Sequence, residues 1–520
     1  MNNSNDKRYA LTIDFGTQSA RVSIFDEKGK ILAAEKETYA PAYFSKKNGY
    51  AEQEPDYYFD CMAKCTKRLA AAHPDLMKGL LGASLTCFRD SAVILDKDKK
   101  VIRPCILWLD QRRAKCENPL PGVSRAAFKL VGKSATIQLN RQRTVANWLI
   151  ENEPENWAKT DKYVSISTYF VYRLTGVLSD SASAYTGHYP LDYKKKQWYA
   201  KPETHLQGQC FSVKKHMLCE LTPATEKIGE ITEASAAETG LPVGLSLFAS
   251  GSDKSCETLG SGVIDDTLLS ISLGTASTLE TTTDHYVEPF PFLPEYPSTQ
   301  PGCFNMDHQI YRGFWMINWF LKEFCGRHDV ELIDDEVDLN ALNAKLKDVP
   351  AGSDGLIVQP YWGSNLDKTE IVGTIIGFSA TTTHEHVYRA IIEGIGYELR
   401  FAYETFRKKL KHDFKEIRIS GGGAQSPEIC QIMADILGLN VVSLETNEAS
   451  SLGAAIVVYL GNKVYASPKE AVAKMVRTAK TFKPNLENKK VYDELYKNVY
   501  SELYPSLKKA YRYLFRYENR

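Results

Sequence analysis

The sequence predicts an α/β protein that is built from two domains. The chain has 520 residues, which is long enough for two or more domains of ordinary size. Strand patterns come first and helical patterns follow them, an order that is typical of layered α/β architectures. A strand, a glycine turn and a second strand open the chain, and the same unit recurs near Leu268. We therefore expect one domain over residues 8–260, another over residues 261–520, and a ligand cleft between them.

The first half begins with a predicted β-meander over residues 8–43, in which Gly16 and Gly29 make the turns. Glycine suits such turns because it has no Cβ to restrict the backbone. Apolar runs bounded by turn residues predict the other elements of this half: strands at Leu81–Thr86, Ser91–Leu95 and Ile106–Arg113, and helices at Asp56–Ala72, Arg143–Glu151 and Tyr163–Leu174.

The second half opens with a predicted strand at Leu268–Leu273. Helices are expected after it at Val387–Leu410, Pro427–Leu437 and Ser450–Leu460. Because a spacing of four residues aligns side chains on one helix face, we expect a tyrosine stripe near the C-terminus to be core rather than the lining of a ligand site. The stripe consists of Tyr492, Tyr496, Tyr500 and Tyr504.

The bulk composition argues against several classes of protein. Lysine plus arginine equals aspartate plus glutamate, 64 each, so we expect no nucleic-acid partner. The first seven residues are polar, and no apolar run approaches the roughly 18 residues of a membrane span, so we expect neither a secretory signal nor a membrane partner. Eleven cysteines without C-x-x-C pairs predict reduced thiols in a cytoplasmic protein. The Walker A and G-x-G-x-x-G sequences do not occur.

The N-terminal turn has the composition of a phosphate-binding loop. From Asp14 to Arg21 the chain reads D-F-G-T-Q-S-A-R, between two short strands. Backbone N–H groups that are exposed at a tight turn can cradle phosphate oxygens, and hydroxyl side chains add donors. Asp14 is a candidate for holding Mg²⁺ through water, because Mg²⁺ favours one or two carboxylates together with phosphate oxygens. The alternative is an ordinary β-hairpin with a capped turn.

The stretch of residues 248–280 combines an acid with a second candidate phosphate loop. Asp253 lies in a Gly-Ser-Asp loop, and a later apolar strand ends in Gly274 and Thr275. Phosphoryl transfer needs a base near the acceptor hydroxyl and donors around the phosphates, and this stretch offers both. The alternative for Asp253 is a turn aspartate that bonds to its own backbone.

Four motifs in a fixed order resemble the FGGY family of carbohydrate kinases, which belongs to the actin-like ATPase superfamily. They are D-F-G-T-Q-S-A-R, G-S-D, S-L-G-T and S-G-G-G-A, and the resemblance runs from about Tyr9 to about Tyr504. Each motif is weak alone, and their order and spacing make the joint signal specific. The resemblance implies two actin-like (ribonuclease H-like) domains with an ATP cleft between them, ATP and Mg²⁺ as cofactors, and a small sugar or polyol as the partner.

The same resemblance assigns roles to individual residues. Asp253 matches the general base, and Asp14 lies where the metal would be held. The nucleotide is expected to contact Thr17, Gln18, Ser19, Arg21, Gly274, Thr275, Gly313, Gly422, Gly423, Ala424 and Gln425. Gln18 replaces a small residue of the family pattern, and a simple turn before a helix is the alternative for Gly313.

The predicted acceptor site departs from both well-known family patterns. Xylulokinase-like members carry Q-M-H-G after the corresponding strand, and glycerol kinases carry N-Q-R-E. This chain carries T-C-F-R-D, which ends in Arg89 and Asp90. An arginine–carboxylate pair can bind neighbouring hydroxyls as donor and acceptor, and a surface ion pair is the alternative.

Three further residues complete the predicted acceptor site. Trp108 and Asp110 match the family's W-x-D-x-R, and Lys254 stands where glycerol and xylulose kinases have glutamine. A lysine there suits an anionic or more oxidised acceptor, or it pairs with Glu257.

These observations predict an ATP-dependent kinase that phosphorylates a hydroxyl of a small sugar or polyol, with a xylulose-like ketose preferred. Glycerol or another polyol is the alternative acceptor. A non-catalytic actin-fold ATP-binding protein is the alternative class, and the G-S-D and R-D motifs favour the enzyme. A homodimer is left open.

Overall fold

Two mixed β-sheets, one in each half of the chain, form the frame of the molecule. The computed structural model describes residues 8–290, 293–325, 332–333, 336–337, 339–363 and 368–518. Strands and helices are both abundant, so the predicted α/β class is confirmed. Within the described residues, we find no helix whose length and apolar composition would let it cross a membrane.

The first sheet surrounds the strand that carries Asp14. The strands of this half are β1 Tyr9–Phe15, β2 Ser19–Phe25, β3 Ile31–Thr38, β4 Glu52–Gln53, β5 Leu80–Cys87, β6 Ala92–Leu95, β7 Cys105–Ile106, β8 Lys162–Ser165, β9 Ser179–Asp180, β10 Leu191–Asp192, β11 Gln197–Trp198, β12 Glu220–Leu221, β13 Lys227–Glu230 and β14 Ser246–Phe248. Six of them pair in the order β13-β14-β5-β1-β2-β3. Asp14 lies opposite Arg21 of β2 and Thr86 of β5. It is therefore at the carboxyl end of a central strand, where open α/β sheets bind ligands.

The second sheet carries the other predicted phosphate turn. Its half contains β15 Leu268–Leu273, β16 Ser277–Thr283, β17 Tyr296–Pro297, β18 Phe304–Ile310, β19 Leu332–Ile333, β20 Glu336–Val337, β21 Ile357–Gln359, β22 Thr374–Ile376, β23 Glu416–Ser420, β24 Val441–Leu444 and β25 Thr478–Phe482. Seven of them pair in the order β17-β18-β16-β15-β23-β24-β25. The β15–β16 turn therefore stands next to the end of β23, from which the S-G-G-G-A segment begins.

Helices cover the faces of both sheets. They are α1 Pro55–Ala72, α2 Pro74–Lys78, α3 Gly122–Leu130, α4 Ser134–Arg143, α5 Val145–Asn152, α6 Pro154–Lys159, α7 Ile166–Thr175, α8 Glu233–Thr239, α9 Asp253–Gly260, α10 Trp315–Phe324, α11 Leu339–Ala344, α12 His384–Leu410, α13 Pro427–Leu437, α14 Ala449–Gly461, α15 Pro468–Met475, α16 Leu486–Leu495 and α17 Ser501–Glu518. A π-helical turn, Tyr496–Tyr500, joins the last two.

Helix α14 comes late in the sequence but packs against the first sheet and α9. Its Leu452 shares a buried cluster with Phe248 of β14. Two glycines permit the close approach of α9 and α14. A Cβ on Gly260 or on Gly453 would lie 1.9 Å from a carbonyl oxygen of the other helix. The helix that begins at Asp253 is thus held in place by a segment from the far end of the chain.

The C-terminal tyrosines pack in the core of the second half, as the spacing predicts. Tyr492 and Tyr500 are buried. Their hydroxyls donate to two buried carboxylates of α12, Tyr492 to Glu393 at 2.7 Å and Tyr500 to Glu398 at 2.9 Å. The stripe therefore satisfies buried acids inside the protein and does not line either of the cavities described below.

Two predicted elements are wrong in part. The strand expected at Ile106–Arg113 ends at Ile106, because the chain then turns and Asp110 folds back onto Arg112. The helix expected from Tyr163 begins after Ser165, whose side chain caps it, while residues 162–165 pair with β6 instead. The eleven cysteines, which all lie within the described residues, form no disulfide bonds.

Candidate active site

Two glycine turns, one from each half, face a common cavity of about 290 Å³. A glycine N–H closes each turn. The N–H of Gly16 donates to Ser19 O at 3.0 Å, and the N–H of Gly274 donates to Ala276 O at 3.2 Å. We call this space the inner cavity. It brings together ten of the predicted site residues: Thr17, Gln18, Ser19, Arg89, Asp90, Trp108, Asp253, Lys254, Gly274 and Thr275.

Asp253 is the first residue of α9 and lines the inner cavity. Its Oδ1 accepts a hydrogen bond from the backbone N–H of Lys254 at 2.9 Å, and the helix N-terminus favours a carboxylate at this place. Burial raises the pKa of Asp253, while Lys254 and Arg89 oppose the rise. A carboxylate with a raised pKa is a stronger base, so this residue is suited to accept a proton from a ligand hydroxyl.

Lys254 lines the same cavity, but its charge is neutralised within the protein. Its Nζ lies 2.7 Å from Glu257 Oε2 and 2.7 Å from Ser272 Oγ. Glu257 also accepts from Ser420 at 2.6 Å, which ties α9 to the end of β23. The sequence leaves two alternatives for Lys254, recognition of an anionic or more oxidised acceptor and pairing with Glu257. The structure contains the pairing with Glu257.

Arg89 and Asp90 both face the inner cavity, but they do not pair with each other. Arg89 Nη1 donates to Asp307 at 2.7 Å and Nη2 donates to Gln309 at 3.0 Å, both on β18 of the second half. Its guanidinium also lies 5.7 Å from the centre of the Tyr296 ring. The alternative of a surface ion pair between Arg89 and Asp90 is therefore wrong, because Arg89 forms its ion pair with Asp307 in the other half of the chain.

Asp90 is held by a residue that no sequence motif marked. The backbone N–H of His188 donates to Asp90 Oδ1 at 3.1 Å, and His188 Nδ1 lies 2.7 Å from Oδ2. Asp90 adopts a φ of 55°, and Gly187 lies against its carboxylate. These contacts fix the orientation of Asp90 toward the cavity. His188 is 98 residues away in the chain, so only the fold reveals the contact.

Trp108 and Asp110 have different environments. Trp108 Nε1 donates to Thr17 Oγ1 at 3.3 Å, and the ring lines the inner cavity. Asp110 lies outside that lining. Its oxygens accept from Arg112 at 2.8 Å and from the N–H of Ala51 at 2.6 Å, so it braces the loop after β7. Asp110 instead borders a second space of about 760 Å³, the outer cavity, which shares Trp108 and Tyr311 with the inner one.

Asp14 lies beside the first turn, outside the lining of the inner cavity. Burial raises its pKa to about 7, Arg21 lowers it, and Asp253 and Glu448 add to the rise. Arg21 itself forms an ion pair with Glu448 of the second half. Among the described residues, no three His, Cys, Asp or Glu side chains come together as a metal site. A single half-buried carboxylate of this kind fits Mg²⁺ that is held through water and phosphate oxygens.

The predicted adenosine segment lies apart from the inner cavity. Gly422–Gln425 forms a short 3-10 turn, and the space beside Gly422 is open. Gly313 and Gly423 are required by packing, because a Cβ on Gly313 would lie 2.2 Å from Ser277 Oγ and one on Gly423 would lie 2.4 Å from the Phe314 ring. The alternative for Gly313, a simple turn before a helix, thus has direct support. The contact of Gly313 with the nucleotide stays a prediction.

Known proteins match the chain over nearly its full length. A curated xylulose kinase from Lactococcus lactis subsp. lactis (strain IL1403) is 29% identical over 495 residues, which cover 94% of this chain and 95% of that protein. The crystal structure of gluconate kinase from Lactobacillus acidophilus superposes with a TM-score of 0.79 at 20% identity, and covers 97% of this chain and 99% of its own. A xylulose kinase structure from Rhodospirillum rubrum gives 0.75 at 22% identity, with 97% and 100% covered.

Family models account for both halves. The N-terminal domain of the FGGY family of carbohydrate kinases matches residues 9–260, and the C-terminal domain matches residues 269–460. The two sheets thus belong to the two actin-like domains that the resemblance implies. Kinases of this family use ATP. The chain belongs to the FGGY family of carbohydrate kinases and is an ATP-dependent carbohydrate kinase.

Proposed function

We propose that the enzyme phosphorylates a terminal hydroxyl of a small open-chain ketose of the xylulose type. The observation that carries the proposal is the convergence of Asp253, Arg89, Asp90 and both glycine turns on one cavity. The xylulose kinases among its relatives support a ketose. A glycerol-like polyol is the alternative, because the Arg89–Asp90 sequence is close to the glycerol kinase pattern.

Asp253 acts as the general base in this proposal. It accepts the proton of the acceptor hydroxyl while the hydroxyl oxygen forms a bond to the γ-phosphorus, and the bond from that phosphorus to the bridging oxygen of ADP breaks. The pKa that burial raises makes Asp253 a better proton acceptor than an exposed aspartate. Its place at the start of α9 fixes the carboxylate on a rigid element.

Arg89 orients the sugar by donating hydrogen bonds to its hydroxyls, and Asp90 orients it by accepting them. Asp307 and Gln309 occupy two of the five N–H donors of the Arg89 guanidinium, which leaves donors for acceptor hydroxyls. Asp90 keeps lone pairs beyond those that His188 engages, so it can accept from a hydroxyl. Trp108 offers an apolar face to the carbon chain.

The nucleotide phosphates are assigned to the two turns. Thr17, Gln18 and Ser19 donate from the first domain, and Thr275 donates from the second, where Gly274 shapes the turn that contacts the phosphates. Arg21 stands beside the first turn, Gly313 is assigned to the nucleotide, and the Gly422–Gln425 segment is assigned to adenosine. Asp14 would hold Mg²⁺ through water, and the metal supplies neutralisation of the phosphate charge.

The remaining properties are proposed on sequence grounds. We place the domain boundary between residues 260 and 261, within the interval that separates the two family matches. We propose a cytoplasmic enzyme without nucleic-acid or membrane partners, because its acidic and basic residues balance at 64 each and no membrane-length apolar run occurs. A homodimer is the assembly to be tested.

An ATP-consumption screen tests the function. Purified enzyme is assayed with ketopentoses, aldoses, polyols and sugar acids, and Asp253→Asn serves as the inactive control. We expect the highest kcat/KM with a ketopentose such as xylulose. A preference for glycerol would replace the ketose with the polyol alternative, and no consumption above the control with any acceptor would contradict the proposed acceptor class.

A further inference from the structure

The outer cavity carries two arginines that have no acidic partner among the described residues. Arg143 ends α4 in the first domain, and Arg312 follows β18 in the second. Both side chains are half-buried. The Arg143 guanidinium lies 5.2 Å from the centre of the Tyr311 ring, and that of Arg312 lies 4.9 Å from the Trp315 ring. Their positive charges are stacked on aromatic rings, and no carboxylate in the part of the chain that the structure describes neutralises them.

The other described residues around this cavity do not balance the two charges. Asp110 is the only acidic residue among the described lining residues, and Arg112 occupies its carboxylate. Arg112 is bound in addition by Glu52 at 2.8 Å. Burial lowers the pKa of Arg312, as expected for a guanidinium that loses water without gaining a carboxylate. In the inner cavity, by contrast, Glu257 compensates Lys254.

We propose that the outer cavity is a binding site for an anion, a carboxylate or phosphate group held between Arg143 and Arg312. Guanidinium groups bind these oxyanions with paired, charge-assisted hydrogen bonds. The volume of about 760 Å³ lies in the range of small-molecule sites. None of the residues assigned to nucleotide lines this cavity, so the anion is distinct from the triphosphate.

The anion has two chemical sources. Because Trp108 and Tyr311 line both cavities, one source is the far end of an acceptor whose reacting hydroxyl lies in the inner cavity. The other is a separate small anion that binds beside the acceptor. The first source rests on the proposed function and the second does not. In either case one anion is held by residues of both domains, Arg143 from the first and Arg312 from the second.

Calorimetry on the full-length enzyme tests the site without relying on turnover. The enzyme is first saturated with Mg²⁺ and a non-hydrolysable ATP analogue, which fills the phosphate turns, and is then titrated with inorganic phosphate or with gluconate. We expect at least one probe to bind, and Arg143→Gln and Arg312→Gln each to weaken it about tenfold or more. Arg143→Lys keeps the charge and should retain part of the affinity. Arg125→Gln, at an exposed arginine of α3, should change nothing.

Kinetics then separates the two sources. If the anion belongs to the acceptor, gluconate competes with the neutral acceptor, and both substitutions lower kcat/KM for acidic acceptors only. If it is separate, phosphate alters the acceptor KM without competing. The proposal fails if neither probe binds the wild-type enzyme, or if binding survives both substitutions in variants whose thermal unfolding matches that of the wild type.

Discussion

Arg89 Nη1 lies 2.7 Å from Asp307 Oδ2, and this ion pair joins the proposed acceptor side of the first domain to β18 of the second. The two side chains are only 11% and 5% exposed. Glu280 lies opposite Asp307 in the sheet, and burial, together with the Asp307 charge, raises its pKa well above the usual range. Arg89 pairs with Asp307, so the proposed acceptor site depends on how the two domains sit together.

The substitution Asp307→Asn should weaken acceptor binding. Loss of a hydrogen bond to a charged group costs about 1.5–3 kcal/mol, so we expect the acceptor KM to rise about tenfold or more with the ATP KM nearly unchanged. Gln309→Leu is the matched control, because it removes the neutral partner of Arg89 and should cost less, about 0.5–1.5 kcal/mol. Steady-state kinetics with both substrates varied provides the measurement. An unchanged acceptor KM in Asp307→Asn would show that this pair does not position Arg89.

Asp253→Asn should abolish turnover while nucleotide still binds. General base catalysis contributes typically about 10²–10⁴-fold, so kcat should fall by at least that range. Asparagine keeps the size and the hydrogen bond to Lys254 but accepts a proton poorly. The measurements are turnover and the calorimetric affinity for an ATP analogue. Asp98→Asn, at an exposed aspartate, is the control, and near-normal turnover in Asp253→Asn would rule out the base assignment.

Local signals explain which parts of the fold are predictable. Helix α13 spans Pro427–Leu437 as predicted, because Ser426 caps its start and Gly438 ends it in a left-handed conformation. The strand predicted at Leu81–Thr86 is present as β5. The predicted strand after Ile106 fails because the contact of Asp110 with Arg112 bends the chain, and a run of apolar residues does not reveal such a turn.

In the candidate site, too, features with a local sequence signal are predictable and contacts between distant residues are not. Motifs predict Asp253 and the two turns as site residues, because those residues lie within short stretches of unusual composition, and the structure brings them to one cavity. The partners of the acceptor residues are not local: Asp307 is 218 residues from Arg89, and His188 is 98 residues from Asp90. Because Arg89 and Asp90 are adjacent in the sequence, an ion pair between them is left open as the alternative, whereas the packed domains give each a separate partner.

Asp14→Asn should stabilise the nucleotide-free enzyme at neutral and alkaline pH. Burial raises the pKa of Asp14 from 3.8 to about 7. Between these values the folded state holds a proton that the unfolded state has lost, so stability falls as pH rises from about 4 to about 7. Removing the carboxyl removes this penalty, which is on the order of 1–4 kcal/mol at pH 8.

Thermal unfolding of the wild type and Asp14→Asn at pH 5 and at pH 8 measures this effect. The difference in Tm should be larger at pH 8, while Mg²⁺-dependent activity is lost in the variant. Asp98→Asn should show neither change. A Tm difference that is independent of pH would contradict the raised pKa, and retained activity with unchanged Mg²⁺ dependence would remove Asp14 from the metal site.

His188 and Gly187 contact the Asp90 carboxylate and fix its position. A Cβ on Gly187 would lie 2.5 Å from Asp90 Cγ, and Gly187 has a φ of +82°, which other residues rarely adopt. His188 supplies both a backbone and a ring donor to the same carboxylate. The two residues thus position Asp90, although neither is predicted to contact the acceptor.

His188→Leu should raise the acceptor KM about tenfold and leave the ATP KM nearly unchanged. Leucine fills similar space but removes the ring donor, so Asp90 loses a charge-assisted hydrogen bond of about 1.5–3 kcal/mol and its fixed orientation. His188→Asn keeps a donor near the Nδ1 position and should recover much of the loss, which a purely structural defect would not do. His216→Asn, at an exposed histidine, controls for the general effect of losing an imidazole. If His188→Leu retained the wild-type acceptor KM, Asp90 would not need this partner, and the contact at 2.7 Å would serve packing alone.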